Sequence, residues 1–101
     1  TDPGPKPDDQ LASAQSALQS AANVGGEDTE PSMLAAAREK VATAESLITE
    51  ERYPEARRLL EQAEVDARLA EARAETQKIR DELGDVRASI DSLRRNLENQ
   101  N

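Results

Sequence analysis

From Pro54 to Asn101 the chain holds no second proline and one glycine, Gly84. Proline and glycine are the residues that stop helices, so nothing else in that stretch interrupts one. A helix over about 54–99 is expected, about 69 Å long at 1.5 Å per residue. The rest of a 101-residue chain is too short to cover a helix of that length. This mismatch governs what the sequence can form.

Upstream, the chain breaks twice. A first helix over about 9–23 ends at Asn23-Val24-Gly25-Gly26, where two glycines stop it cheaply. Asp8 or Asp9 is its expected N-cap, and Leu11, Ala14, Leu18 and Ala21 or Ala22 recur on one face. A second helix spans about 31–51, capped by Asp28 or Thr29, with Pro31 in the first turn where its missing N–H costs nothing. Leu34, Ala37, Val41, Ala44 and Ile48 step by three and four along it, and Leu47 widens the stripe. The first half of the third helix buries Ala56, Leu59, Leu60, Ala63 and Ala67. Residues 1–8 carry three prolines among small and charged residues, the composition of a Pro-rich flexible tether.

The one aromatic residue, Tyr53, precedes Pro54 at the second break. Pro54 cannot continue the preceding helix but is preset to begin another. Tyr53 therefore sits at the helix-turn corner, its ring closing the end of an Ala-lined groove and its hydroxyl wet. Tyr53, Ala56, Leu59-Leu60 and Ala63 are spaced like the turn and second helix of a tetratricopeptide repeat. No second copy follows at a period near 34 residues.

The fold class is accordingly all-α. An antiparallel helical hairpin is enlarged to a three-helix module over 9–74, and a helical overhang follows over 75–101. The second helix, about 30 Å long, covers the third to about residue 74, which leaves roughly 25 residues without an intrachain partner. In that overhang Ile79, Leu83, Val86, Ile90, Leu93 and Leu97 are spaced four, three, four, three, four. With Leu83, Ile90 and Leu97 at heptad position a and Ile79, Val86 and Leu93 at d, Glu75 and Glu82 fall at g, Arg80 and Arg87 at e. In a parallel pair g meets e of the next heptad, so Glu75 faces Arg80 and Glu82 faces Arg87. In an antiparallel pair the arginines face one another. Three readings of the stripe follow: it packs back on the first helix, it self-associates, or it captures another protein's helix.

Composition excludes several function classes. The net charge is −8, and no basic stripe exists to displace counterions from nucleic acid. No run of eighteen apolar residues is present. The chain has no His, Cys or Trp, and its serines lack a candidate base. Its carboxylates alternate with Lys and Arg along helix faces. The cluster Glu27, Asp28 and Glu30 lacks the spacing of a calcium loop. No catalytic residue, cofactor, metal or small-molecule substrate is expected.

Two segments, EPSMLAAAREKVATAESL and ERYPEARRLLEQAEVDARLAEARAE, resemble the bacterial family catalogued as domain of unknown function 4398. The likeness covers about residues 11–76. It implies a short Ala-rich helical module of a secreted, lipid-anchored envelope protein, a kind sometimes fused to an OmpA-like peptidoglycan-binding domain. Localisation in the periplasm, at the outer membrane, follows from the resemblance. A lipidated Cys just before Thr1 would be the sole link to the membrane. The expected function is that of a non-enzymatic structural and interaction module, which self-associates or binds an envelope protein through the third helix. The alternative is a soluble tetratricopeptide-like adaptor that receives a peptide or client helix in a groove lined by Leu11, Leu18, Leu34 and Val41.

Overall fold

The computed structural model describes residues 2–100. The anchor expected before Thr1 and the terminal Asn101 of the overhang lie outside the described residues. Four helices follow in order: α1 (Asp8–Asn23), α2 (Gly26–Thr29), α3 (Pro31–Thr49) and α4 (Tyr53–Asn99). There is no strand among the described residues, so the fold is all-α.

The helix starts differ from the expected caps. Neither Asp8 nor Asp9 caps α1; the N-cap residue is Pro7, without a side-chain cap bond. Both aspartates stand in the first turn, where negative charge suits the helix dipole. Pro7 is fully buried, and its carbonyl accepts the Leu11 N–H at 3.0 Å, which brings the start forward. Arg57 Nη2 also donates to the Pro5 carbonyl at 3.3 Å. The expected tether over 1–8 is therefore already tied to α4 at Pro5 and packed at Pro7.

Gly25, at φ 86°, takes the left-handed conformation that ends α1. Gly26 does not serve as a second stop; it opens the single turn α2. A Cβ there would stand 2.7 Å from the Ala21 carbonyl oxygen and 3.1 Å from Leu34 Cδ1, so the close approach requires glycine. Asp28 and Thr29 lie inside α2 instead of capping α3. The N-cap of α3 is Glu30, again without a side-chain cap bond, and the Leu34 N–H is held by the Glu30 carbonyl at 3.1 Å.

Helix α3 ends at Thr49, two residues before the expected 51, and the corner that follows is well defined. The Glu51 N–H donates to Ile48 O at 2.9 Å and the Arg52 N–H to Leu47 O at 2.8 Å. This is a Schellman closure with Glu51 in the left-handed position, at φ 61°. Arg52 Nε then donates to Glu55 at 3.1 Å. That hydrogen bond and the charge of Glu55 raise the guanidinium pKa above its ordinary value. Tyr53, only 5% exposed, starts α4, with Pro54 beside it in the first turn.

Both α1 and α3 pack chiefly on α4 and touch each other less. Lys40 Nζ donates to Asp66 Oδ2 at 2.7 Å, and Arg73 faces Glu30 at 3.9 Å. These two bridges fix α3 antiparallel to α4. Helix α1 starts near Arg57 and its C-cap Val24 stands beside Glu75 and Ile79, so it runs parallel to α4. Ten of the fourteen core side chains are alanine. Such small side chains let helix axes approach to the short end of the usual 8–10 Å range. Close contact then compensates in dispersion for the little area each alanine buries.

Candidate interaction surface

Along α4 the residues that face the bundle are Tyr53, Ala56, Leu60, Ala63, Ala67, Ala70 and Ala74. They step by three and four, the period of a left-handed helix pair. Ala74 is the last buried residue among those described; every described residue from 75 to 100 is exposed. Continuing the same face meets Gln77, Asp81, Gly84, Ala88 and Asp91, so that apolar seam stops where the cover stops.

A second seam occupies the other side of the helix. Its ten positions are Val65, Leu69, Ala72, Thr76, Ile79, Leu83, Val86, Ile90, Leu93 and Leu97, all exposed. The spacing alternates four and three without a break over about 48 Å. At 100° per residue it lies roughly 150° around the helix from the buried seam. The chain has eight exposed large hydrophobic residues, between 44% and 65% accessible, and all eight belong to this seam. Scattered exposed leucines need no explanation, but a contiguous row marks a place of contact.

The six predicted stripe residues, Ile79, Leu83, Val86, Ile90, Leu93 and Leu97, thus share one face and remain uncovered; the stripe neither folds back nor packs on α1. Val65, Leu69 and Ala72 were missed. Their spacing was readable from Ile79 backward, but Val65 and Leu69 stand next to Ala63 and Ala67 in sequence and look like core from composition. Thr76 also interrupts the row of aliphatic residues. In the structure its hydroxyl donates to the Ala72 carbonyl at 3.0 Å, so it brings no unpaired polar group to the seam.

The charges beside the seam fall into two groups. Alongside the bundle, Asp66 is paired with Lys40, Arg68 with Glu64 and Arg73 with Glu30. Beyond Ala74, the flanking Glu75, Arg80, Glu82, Arg87 and Arg94 form no ion pair with any described residue.

The groove expected between the first two long helices is largely filled. Leu34 and Val41 are buried, and the half-buried Leu11 and Leu18 pack against the core beside them. Pairing of both helices with α4 draws these four side chains inward, and the hollow left between α1 and α3 is lined by Leu18 and Ala22 with the polar Gln15, Gln19, Glu27 and Arg38. Tyr53 has no hydrogen bond to a described residue, and no buried side-chain polar atom among the described residues lacks a partner. Its hydroxyl therefore reaches water while its ring fills the corner. The acidic cluster is dispersed: Glu27 pairs with Arg38 and Glu30 turns to Arg73. Among the described residues no group of acidic side chains is placed to hold a metal ion. Among the described residues no helix is long and apolar enough to cross a membrane.

An Ala-cored helical module with one long exposed heptad seam is the class of protein that this geometry defines. The chain belongs to the family described as Domain of unknown function (DUF4398), whose profile matches residues 9–86. It is similar to a crystal structure of a DUF4398 family protein from Pseudomonas aeruginosa PAO1. The two share 41% identity and a TM-score of 0.89, over 96% of this chain and 100% of the other. No curated protein matches the chain.

Proposed function

We propose that this protein is a non-enzymatic structural and interaction module of the bacterial cell envelope, and that its working surface is the exposed seam of α4. The observation that carries the reading is the placement of all eight exposed large hydrophobic residues in one heptad row. A solvated helix gains nothing from such a row, and an isolated helix of the overhang's length is marginal in water. A partner helix would bury the row and hold the overhang. The inward packing of Leu34 and Val41, which leaves mostly polar side chains around the hollow between α1 and α3, counts against the peptide-receiving alternative.

Periplasmic placement at the outer membrane rests on the family resemblance. In that arrangement a lipid anchor ahead of Thr1 would hold the N-terminal end of the bundle at the membrane. Helices α1 and α4 both run away from that end, so the seam would project from the membrane surface.

Chemical crosslinking in the producing bacterium tests the interaction. The full chain is expected to give adducts of higher mass that disappear when the chain ends at Ala74, the last buried position. Equal adducts from the shortened chain would overturn the assignment of the surface. Incorporation of a labelled fatty acid into the full-length precursor tests the anchor, and its absence would remove the membrane part.

A further inference from the structure

We infer that the occupant of the α4 seam is a second copy of this chain, aligned parallel and in register, with the two bundles standing outside the joined helices. The inference rests on the reading of that seam as an interaction surface and adds the partner, its direction and its register.

Charge is the first argument. With Leu69, Thr76, Leu83, Ile90 and Leu97 at a, the unpaired Glu75 and Glu82 are at g, and the unpaired Arg80 and Arg87 at e. A parallel in-register copy brings Glu75 to Arg80 and Glu82 to Arg87 in both directions, four bridges in all, with no like-charge contact beyond Ala74. Upstream, the same rule would set Arg68 against Arg73. Those two charges are already bridged within the chain, to Glu64 at 3.3 Å and Glu30 at 3.9 Å. Of the five charges left free beside the seam, a second copy can thus satisfy four, while Arg94 meets Ser89.

Reversing the direction gives the opposite result. An antiparallel pair confined to the overhang sets Arg80 against Arg94 and Arg87 against Arg87. An antiparallel pair centred on the whole seam, with the charges bridged within the chain set aside in the same way, sets Arg80 against Arg80 and Glu82 against Glu82. Exposed bridges add little affinity, but like charges directly opposed select against an orientation.

Geometry is the second argument. The two seams of α4 lie roughly 150° apart, so a copy can seat on one while α1 and α3 keep the other. The bundle need not open. The row covers more than four heptads, the length at which such a pattern supports a coiled coil. A straight helix would let a 3.5-residue row drift by about 20° per heptad, and left-handed supercoiling around a copy removes the drift.

The absence of cysteine makes the direction measurable. Leu93→Cys should form a disulfide with itself under mild oxidation, because a parallel register sets position 93 opposite position 93. Antiparallel alignments set it opposite position 83 or 69 instead. Sedimentation equilibrium of the unaltered chain should show self-association. Glu75→Arg with Glu82→Arg should weaken it on the order of tenfold or more, and so should Arg80→Glu with Arg87→Glu. An equimolar mixture of the two variants should recover it as a mixed species. All these positions are exposed, so helix content should stay unchanged.

A monomeric chain at tens of micromolar, while cells still show adducts dependent on the overhang, would overturn the second copy and leave the interaction surface standing. Crosslinking of Leu93→Cys to Leu83→Cys or Leu69→Cys, but not to itself, would overturn the parallel register. Charge-reversed variants that associate as well as the unaltered chain would remove the electrostatic basis of the inference.

Discussion

Residues 53–74 and 75–99 belong to one unbroken helix, yet they follow opposite rules. In the first region the covered face is almost all alanine, and the bulky Val65 and Leu69 point outward. In the second no face is covered by the chain, and every large aliphatic side chain joins one row. Bulk therefore does not mark the core of this protein. Small residues of α4 lie where two helices of the same chain close on it, and large ones lie on the face that the chain leaves uncovered. The radius of gyration, 21.1 Å against about 13 Å for a compact chain of this size, follows from keeping the two functions on one long rod. The extents of 85 × 19 × 14 Å describe the same rod.

Truncating a large side chain on each face should separate the two regions most sharply. Leu60→Ala, at a fully buried site, should lower bundle stability by about 2–5 kcal/mol in denaturant unfolding. Leu83→Ala in the overhang should leave the unfolding of the monomer within about 0.5 kcal/mol and weaken assembly instead. Equal losses at both sites would mean that the two seams are not independent.

Enlarging an alanine gives the next contrast. Ala63→Leu should cost about 1–3 kcal/mol, since Ala63 is fully buried between helices and the site cannot admit the three added carbon atoms without shifting. Ala72→Leu, at an open d position, should leave the bundle intact and strengthen association through the seam. Thermal unfolding and sedimentation, run on both variants, would show whether size is tolerated only on the outer face.

The smallest pair of effects concerns backbone. Glu51→Gly removes a side chain from a left-handed residue at φ 61° and should stabilise the bundle by up to about 1 kcal/mol. Gly84→Ala adds a methyl group with nothing within 4 Å and should favour the helix by about 1 kcal/mol. Hydrogen exchange should report the second gain in the overhang and not in the bundle. Slower exchange throughout the chain would show that the two regions open together.

Much of this was readable from residue order. The breaks at Gly25 and at Tyr53-Pro54, the use of Pro31 in a first turn, and the uninterrupted helix after Pro54 follow from local backbone chemistry, which needs no neighbours. The row from Ile79 to Leu97 follows from periodicity, because spacing alone decides which side chains share a helix face. What spacing cannot decide is which face another element covers. Only the tertiary structure placed both α1 and α3 on α4, filled the trough around Leu34 and Val41, buried Pro7 and made Gly26 the start of a turn. It also turned Val65 and Leu69 outward. The reason is that alanine faces admit closer helix approach than leucine faces do, so packing selected the smaller residues for the inside of α4 and left the larger ones of its outer seam uncovered.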